Sequence, residues 1–123
     1  MYKPLSCLLT VKNKIKSLPN YENQAMWLCC SVLDMDSAHL LMNDMDISNE
    51  QYNYLMEKTN LLISGYPLQY ITGDTQFMGL DFNVKENVLI PRNDTEIITE
   101  LAIKHIGGKP LDVLDLCCGS GCI

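Results

Sequence analysis

The sequence predicts a mainly helical chain: an N-terminal helical bundle, then a β-hairpin, then the opening of an α/β nucleotide-type fold. Three observations carry this. Apolar residues recur at helical spacing through residues 1–66. After Pro67 the pattern changes to aromatic and branched residues around a glycine. Finally, the apolar run 111–116 is followed at once by Cys117-Cys118-Gly119-Ser120-Gly121, giving the order helix, strand, glycine loop.

The elements follow in order. Leu5, Leu8, Leu9, Ile15 and Leu18 give an apolar side to a first helix that must stop near Pro19-Asn20. Ala25, Leu28, Cys29, Val32 and Leu33 form the buried stripe of a second helix, widened by Met26 and Trp27 and placed at the centre of the bundle. A short third helix fits Ser37 to Met42, with Asp36 positioned to cap its free amides. The fourth has the clearest signals. Ser48-Asn49-Glu50-Gln51 is a capping box; Tyr52, Leu55, Met56, Leu62 and Ile63 make the stripe; Gly65 can take the left-handed cap and Pro67 forbids continuation.

Residues 67–92 then read as a connecting segment with a hairpin or a bulged strand pair over 76–84 and a short extended run Val88-Leu89-Ile90 held out of helix by Pro91. Residues 93–123 begin a second domain. Asn93 is the expected cap of a helix with Glu96 three residues on, Ile97, Ile98, Leu101 and Ala102 as its stripe, and Gly107-Gly108 as its end. An apolar strand is expected over 111–116.

Composition narrows the function. With 47% hydrophobic and 20% charged residues the chain is not of disordered type. No apolar run reaches the roughly 20 residues a bilayer demands, and Met1-Tyr2-Lys3-Pro4 lacks a signal peptide's apolar segment. A soluble, cytoplasmic protein is expected. Nine basic against 15 acidic residues give a net charge of −6, which disfavours holding nucleic acid through its phosphates. Charge is segregated: residues 1–16 carry four lysines and no acid, residues 17–57 carry seven acids and no base. A basic first helix lying against an acidic remainder accounts for that. The cysteines Cys7, Cys29, Cys30, Cys117, Cys118 and Cys122 fit neither a disulfide framework nor a metal knuckle, so reduced thiols and no metal are expected.

Glycines after a buried strand let backbone approach a ligand closely. Gly119-x-Gly121 is either such a cofactor loop or an ordinary strand-to-helix turn. Asp115 beside it suits a cationic ligand group, such as the amino group of a methionine moiety, or caps a following helix. Arg92, the one arginine, suits a carboxylate of a ligand or of a nearby acid. Gln69-Tyr70-Ile71-Thr72-Gly73 is a further loop candidate, and Glu96 is by default a capping residue. His39 and His105 have no matching ligand partners and receive no function.

In combination, Pro67-Leu68-Gln69-Tyr70-Ile71-Thr72-Gly73, Phe77-Met78-Gly79-Leu80-Asp81-Phe82, Leu89-Ile90-Pro91-Arg92-Asn93-Asp94-Thr95-Glu96 and Val113-Leu114-Asp115-Leu116-Cys117-Cys118-Gly119-Ser120-Gly121 resemble the release-factor glutamine methyltransferases of the HemK/PrmC family. The resemblance covers the whole chain. It implies a helical domain that helps recognise peptide-chain release factors and a Rossmann-like domain that binds S-adenosylmethionine. The methyl group then goes to the side-chain nitrogen of the glutamine in the Gly-Gly-Gln motif. Carried over by position, Asp115, Cys117, Cys118, Gly119, Ser120 and Gly121 form the first cofactor motif, with Arg92, Thr95 and Glu96 beside the pocket.

Two residues depart from the family pattern. Cys117 stands where glycine is common, tolerable if its φ stays negative, and Asn93 replaces a second proline. The family's Asn-Pro-Pro-Tyr motif does not occur in residues 1–123, so no catalytic residue is assigned. That motif matters physically. An amide nitrogen is a poor nucleophile because its lone pair is delocalised, and it needs acceptors that hold its N–H bonds and aim it at the methyl. The chain is therefore expected to be a truncated, inactive part of the enzyme that binds S-adenosylmethionine weakly or not at all, with a tail from about residue 107 that is mobile or paired with another chain. The alternative is a helical protein-binding module without cofactor. A dinucleotide oxidoreductase would require a third glycine beyond Ile123.

Overall fold

The computed structural model describes residues 1–123. The chain divides into two compact units, Met1–Thr72 and Gly73–Ile123.

The first unit is all helical: α1 (Pro4–Lys14), α2 (Tyr21–Leu33), α3 (Ser37–Met42), α4 (Asn49–Ile63) and α5 (Leu68–Thr72). As the stripe predicts, α2 is the centre and packs on each of the other four. Ala25, Leu28, Cys29 and Leu33 of α2 are buried with Leu8, Ile15, Leu40, Leu55 and Leu62 in one core.

Local chemistry fixes the ends. Asp36 accepts a hydrogen bond from the His39 N–H at 2.8 Å and caps α3. In the capping box of α4, the Gln51 N–H donates to Ser48 Oγ at 3.1 Å and the Ser48 N–H to Gln51 Oε1 at 3.0 Å. At the far end the Gly65 N–H donates to the Leu62 carbonyl and the Tyr66 N–H to the Leu61 carbonyl, while Gly65 takes φ +91°. This double closure requires a left-handed residue, which glycine supplies without a Cβ clash. The N-terminus is tied down by an antiparallel bridge of Tyr2 to Ile47 and by stacking of the Tyr2 and Tyr52 rings at 3.7 Å. The segregated charges meet in Lys3–Asp46 at 2.9 Å and Lys12–Glu22 at 3.9 Å, partly exposed pairs that contribute little to stability.

Three details of the helical unit differ from expectation. Leu9 is 54% exposed, while Cys7 and Val11 are buried instead. Pro4 sets the first turn, and at 100° per residue the face of Cys7, Leu8, Val11 and Ile15 leaves Leu9 outside it. Ile63 is exposed, and Thr59 fills the face between Leu55 and Leu62. Its hydroxyl is satisfied by donating to the Leu55 carbonyl at 2.7 Å, so a polar residue can sit in the core. Finally, Gln69-Tyr70-Ile71-Thr72, expected in a loop, forms most of α5, because Pro67 opens a helix as readily as it ends one.

In the second unit, β1 (Asp74–Phe77) pairs antiparallel with β2 (Leu80–Asn83) in the register Thr75↔Phe82 and Phe77↔Leu80. Met78 and Gly79 form the two-residue turn with φ of +52° and +75°, the pattern whose twist suits a tight hairpin. The hairpin is followed by α6 (Asn93–Ile106), ended by Gly107 at φ +51°.

Three expectations are corrected here. Arg92, with extended backbone, is the residue that precedes α6; Asn93 is already helical and no side chain caps the helix. The stripe Ile97, Ile98, Leu101 and Ala102 is exposed, and Thr99 alone is buried on α6. The strand expected over 111–116 is not formed, and Val113, Leu114 and Leu116 are 70%, 80% and 76% exposed. The reason is shared. The sole sheet is a two-stranded hairpin, so a parallel strand has no neighbour to complete its hydrogen bonds and α6 has no sheet to cover its stripe.

Candidate functional site

The second unit holds Arg92, Thr95, Glu96, Asp115 and the Cys117–Gly121 loop, whereas Gln69–Thr72 of the further candidate belong to α5 in the first unit. Asp115 is exposed, on a segment without regular structure. After it the backbone passes repeatedly through the left-handed region: Cys117 at φ +61°, Gly119 at +58° and Gly121 at +75°. A turn closes with the Gly121 N–H donating to the Cys118 carbonyl at 2.9 Å.

The glycines earn their place here through conformation rather than crowding. A Cβ on Gly121 would meet nothing within 4 Å, and one on Gly119 only the Cys117 carbonyl at 3.9 Å. Cys117 corrects the expectation of a negative φ: an L-residue in the left-handed region costs roughly 1–2 kcal/mol that glycine avoids. The loop therefore offers bare backbone facing open space, with a carboxylate two residues before its first left-handed residue. That donor set suits an approaching ligand with a cationic amino group, and it would repel a pyrophosphate. The residues fit S-adenosylmethionine in that respect.

The other segment lies at the start of α6. Arg92 is exposed and joins none of the ion pairs, so the pairing with a nearby acid is not made and its guanidinium faces solvent. The half-buried Thr95 bonds through its N–H to the Arg92 carbonyl at 3.0 Å, and its own carbonyl accepts from Thr99 Oγ1 at 3.0 Å. Glu96 does not serve as the capping residue of α6. Its Oε1 accepts a hydrogen bond from the Met78 N–H at 2.7 Å, joining the hairpin turn to the first turn of α6. Nothing in the sequence flagged Met78 as a partner; a carboxylate in the first turn of a helix ordinarily serves that helix. These bonds hold Arg92, Thr95 and Glu96 to the hairpin and to α6, and the loop bonds to itself, so neither group reaches the other through them.

Elsewhere the six cysteines are free thiols. No three His, Cys, Asp or Glu side chains converge as a metal site would require, and no helix is long and apolar enough to cross a membrane. His39 Nδ1 lies 2.9 Å from Asp36 Oδ1. The two bonds from His39, backbone then side chain, hold the Asp36 carboxyl below its ordinary range. A surface depression lined by Asn20, Tyr21, Glu22 and Asn23 belongs to the helical unit and carries none of the site residues.

Comparison with known proteins bears on both units. The PrmC N-terminal domain matches residues 8–73, nearly the whole helical unit. The chain belongs to the HemK/PrmC family of release-factor glutamine methyltransferases. Among its relatives, the release factor glutamine methyltransferase of Clostridium botulinum is 40% identical over 112 residues, 89% of this chain and 40% of that protein. Those of Geobacter sulfurreducens and Aliivibrio fischeri are 38% and 33% identical, over 88% and 97% of this chain and 38% and 44% of theirs. The chain thus spans about two fifths of the length of these curated relatives. The matched lengths run past the helical unit, so the family relationship takes in hairpin and α6 as well.

Proposed function

We propose that residues 1–123 are the partner-docking unit and the beginning of the donor pocket of a protein-glutamine methyltransferase acting on peptide-chain release factors in the cytoplasm. S-adenosylmethionine supplies a methyl group made electrophilic by its sulfonium. In this reading the Asp115 carboxylate holds the donor's amino group. Cys117, Cys118, Gly119, Ser120 and Gly121 offer it backbone at close range, and Arg92 and Thr95 border the pocket. The helical unit meets the release factor. The observation that carries the reading is that relatives named for this activity match 89% of the chain, across both units. The bare, left-handed glycine turn beside Asp115 supports it from the geometry.

Orientation of the acceptor amide belongs, in this family, to an Asn-Pro-Pro-Tyr motif that residues 1–123 do not contain. Docking and chemistry should therefore separate. Titrating a purified release factor into the 123-residue chain and following fluorescence anisotropy should give saturable binding. Replacing the glutamine of Gly-Gly-Gln should leave the affinity within about twofold. Absence of binding at accessible concentrations, or its abolition by the glutamine replacement, would overturn the assignment of docking to this chain.

A further inference from the structure

A carboxylate in the first turn of a helix ordinarily faces the positive end of the helix dipole in water. Glu96, the fourth residue of α6, does more than that. No side chain caps the helix at Arg92. Instead Glu96, half-buried, takes the Met78 N–H at 2.7 Å, across 18 residues of sequence. Met78 is itself unusual. It is a non-glycine residue at φ +52° in the hairpin turn, a conformation its own side chain disfavours. Charge-assisted hydrogen bonds are short and about twice as strong as neutral ones, enough to hold such a turn.

We propose that Glu96 is a positioning residue: its carboxylate clasps the Met78-Gly79 turn to the first turn of α6, so that the hairpin tip and the segment from Arg92 to Glu96 present one fixed surface. Two stretches of sequence, Phe77-Met78-Gly79-Leu80-Asp81-Phe82 and Arg92-Asn93-Asp94-Thr95-Glu96, thereby act as a single structural piece joined by one bond. What the fixed surface faces rests on the donor-pocket reading above; the clasp does not.

Amide hydrogen exchange by NMR on the 123-residue chain tests this without donor or release factor, so its outcome is independent of whether methyl transfer is ever observed. The Met78 amide should be protected in the wild type. Glu96→Ala should speed its exchange on the order of 10- to 100-fold. Glu96→Gln keeps an acceptor oxygen at the same reach and should recover most of the protection, whereas a side chain valued only for its charge at the helix dipole would not be rescued. The ladder amides of β1 and β2 report whether the hairpin still folds in each variant. Should Glu96→Ala unfold it, the glutamine variant decides alone. Equal Met78 exchange in wild type and alanine variant, or a glutamine variant that exchanges as fast as a chain without the clasp, would overturn the proposal.

Discussion

Raising the pH above 9 should destabilise the helical unit through one thiol. Cys29 is fully buried on α2, in the same core as Cys7 of α1. Burial first, then the neighbouring Cys7 and Cys30, pushes its pKa from 9.0 up to about 12. The unfolded chain loses this proton near pH 9 and the folded chain keeps it to about pH 12. Within that window the folded state binds more protons, so stability falls as pH rises; below it the contribution is fully present. Each pH unit is worth up to about 1.4 kcal/mol, so going from about pH 7.5 to about pH 10.5 removes on the order of 2 kcal/mol. That is a large share of the roughly 5–15 kcal/mol that holds a domain together. Tyrosines and lysines titrate in the same range, so the assay is a difference. Urea melts of wild type and Cys29→Ala, under reducing conditions, are compared at the two pH values. Near neutrality the alanine variant should be less stable by about 1–3 kcal/mol because of the space left behind. At the higher pH that gap should shrink by roughly 2 kcal/mol, since alanine has no proton to lose. An unchanged gap would refute the linkage.

Further outcomes follow from the same geometry. Ser48→Ala should lower stability by about 1 kcal/mol, visible as a reduced urea midpoint, while Ser48→Gly costs only a few tenths. Thr59→Val should stay within about 1 kcal/mol of wild type by the same melts, because the Leu55 carbonyl keeps its helical hydrogen bond and no donor is orphaned. A thiol reagent should modify the exposed Cys117 and Cys118 in the folded chain, but the buried Cys7 and Cys29 only in denaturant. Calorimetry with S-adenosylmethionine should show binding of about millimolar strength or weaker, the left-handed turn and Asp115 being exposed rather than enclosed; a micromolar titration would contradict this.

The elements legible in the sequence are those written in local chemistry. The capping box at Ser48, the Asp36 cap, Gly65 before Pro67 and the stripe of α2 each act over a few residues, and each is found in place. The hairpin followed from a glycine among aromatic and branched residues, although not that Met78 would share its left-handed turn. The rest depends on a polar side chain's partner or on partners distant in sequence. Thr59 is buried because its hydroxyl finds a carbonyl one turn back, which counting apolar residues misses. Residues 111–116 have the composition of a strand and form none, since strand is a property of a pair. At the candidate site the glycine turn was visible as a motif. The left-handed Cys117 and the clasp from Glu96 to Met78 were not, because both are decided by where the backbone goes.

The most direct measurement is transfer of labelled methyl from S-adenosylmethionine to a purified release factor. On the proposed reading, residues 1–123 supplied alone should dock the release factor and leave it unlabelled, because the Asn-Pro-Pro-Tyr motif to which that reading assigns the acceptor amide does not occur in them. Stoichiometric labelling of the Gly-Gly-Gln glutamine by this chain, with no other protein present, would contradict the division between docking and chemistry.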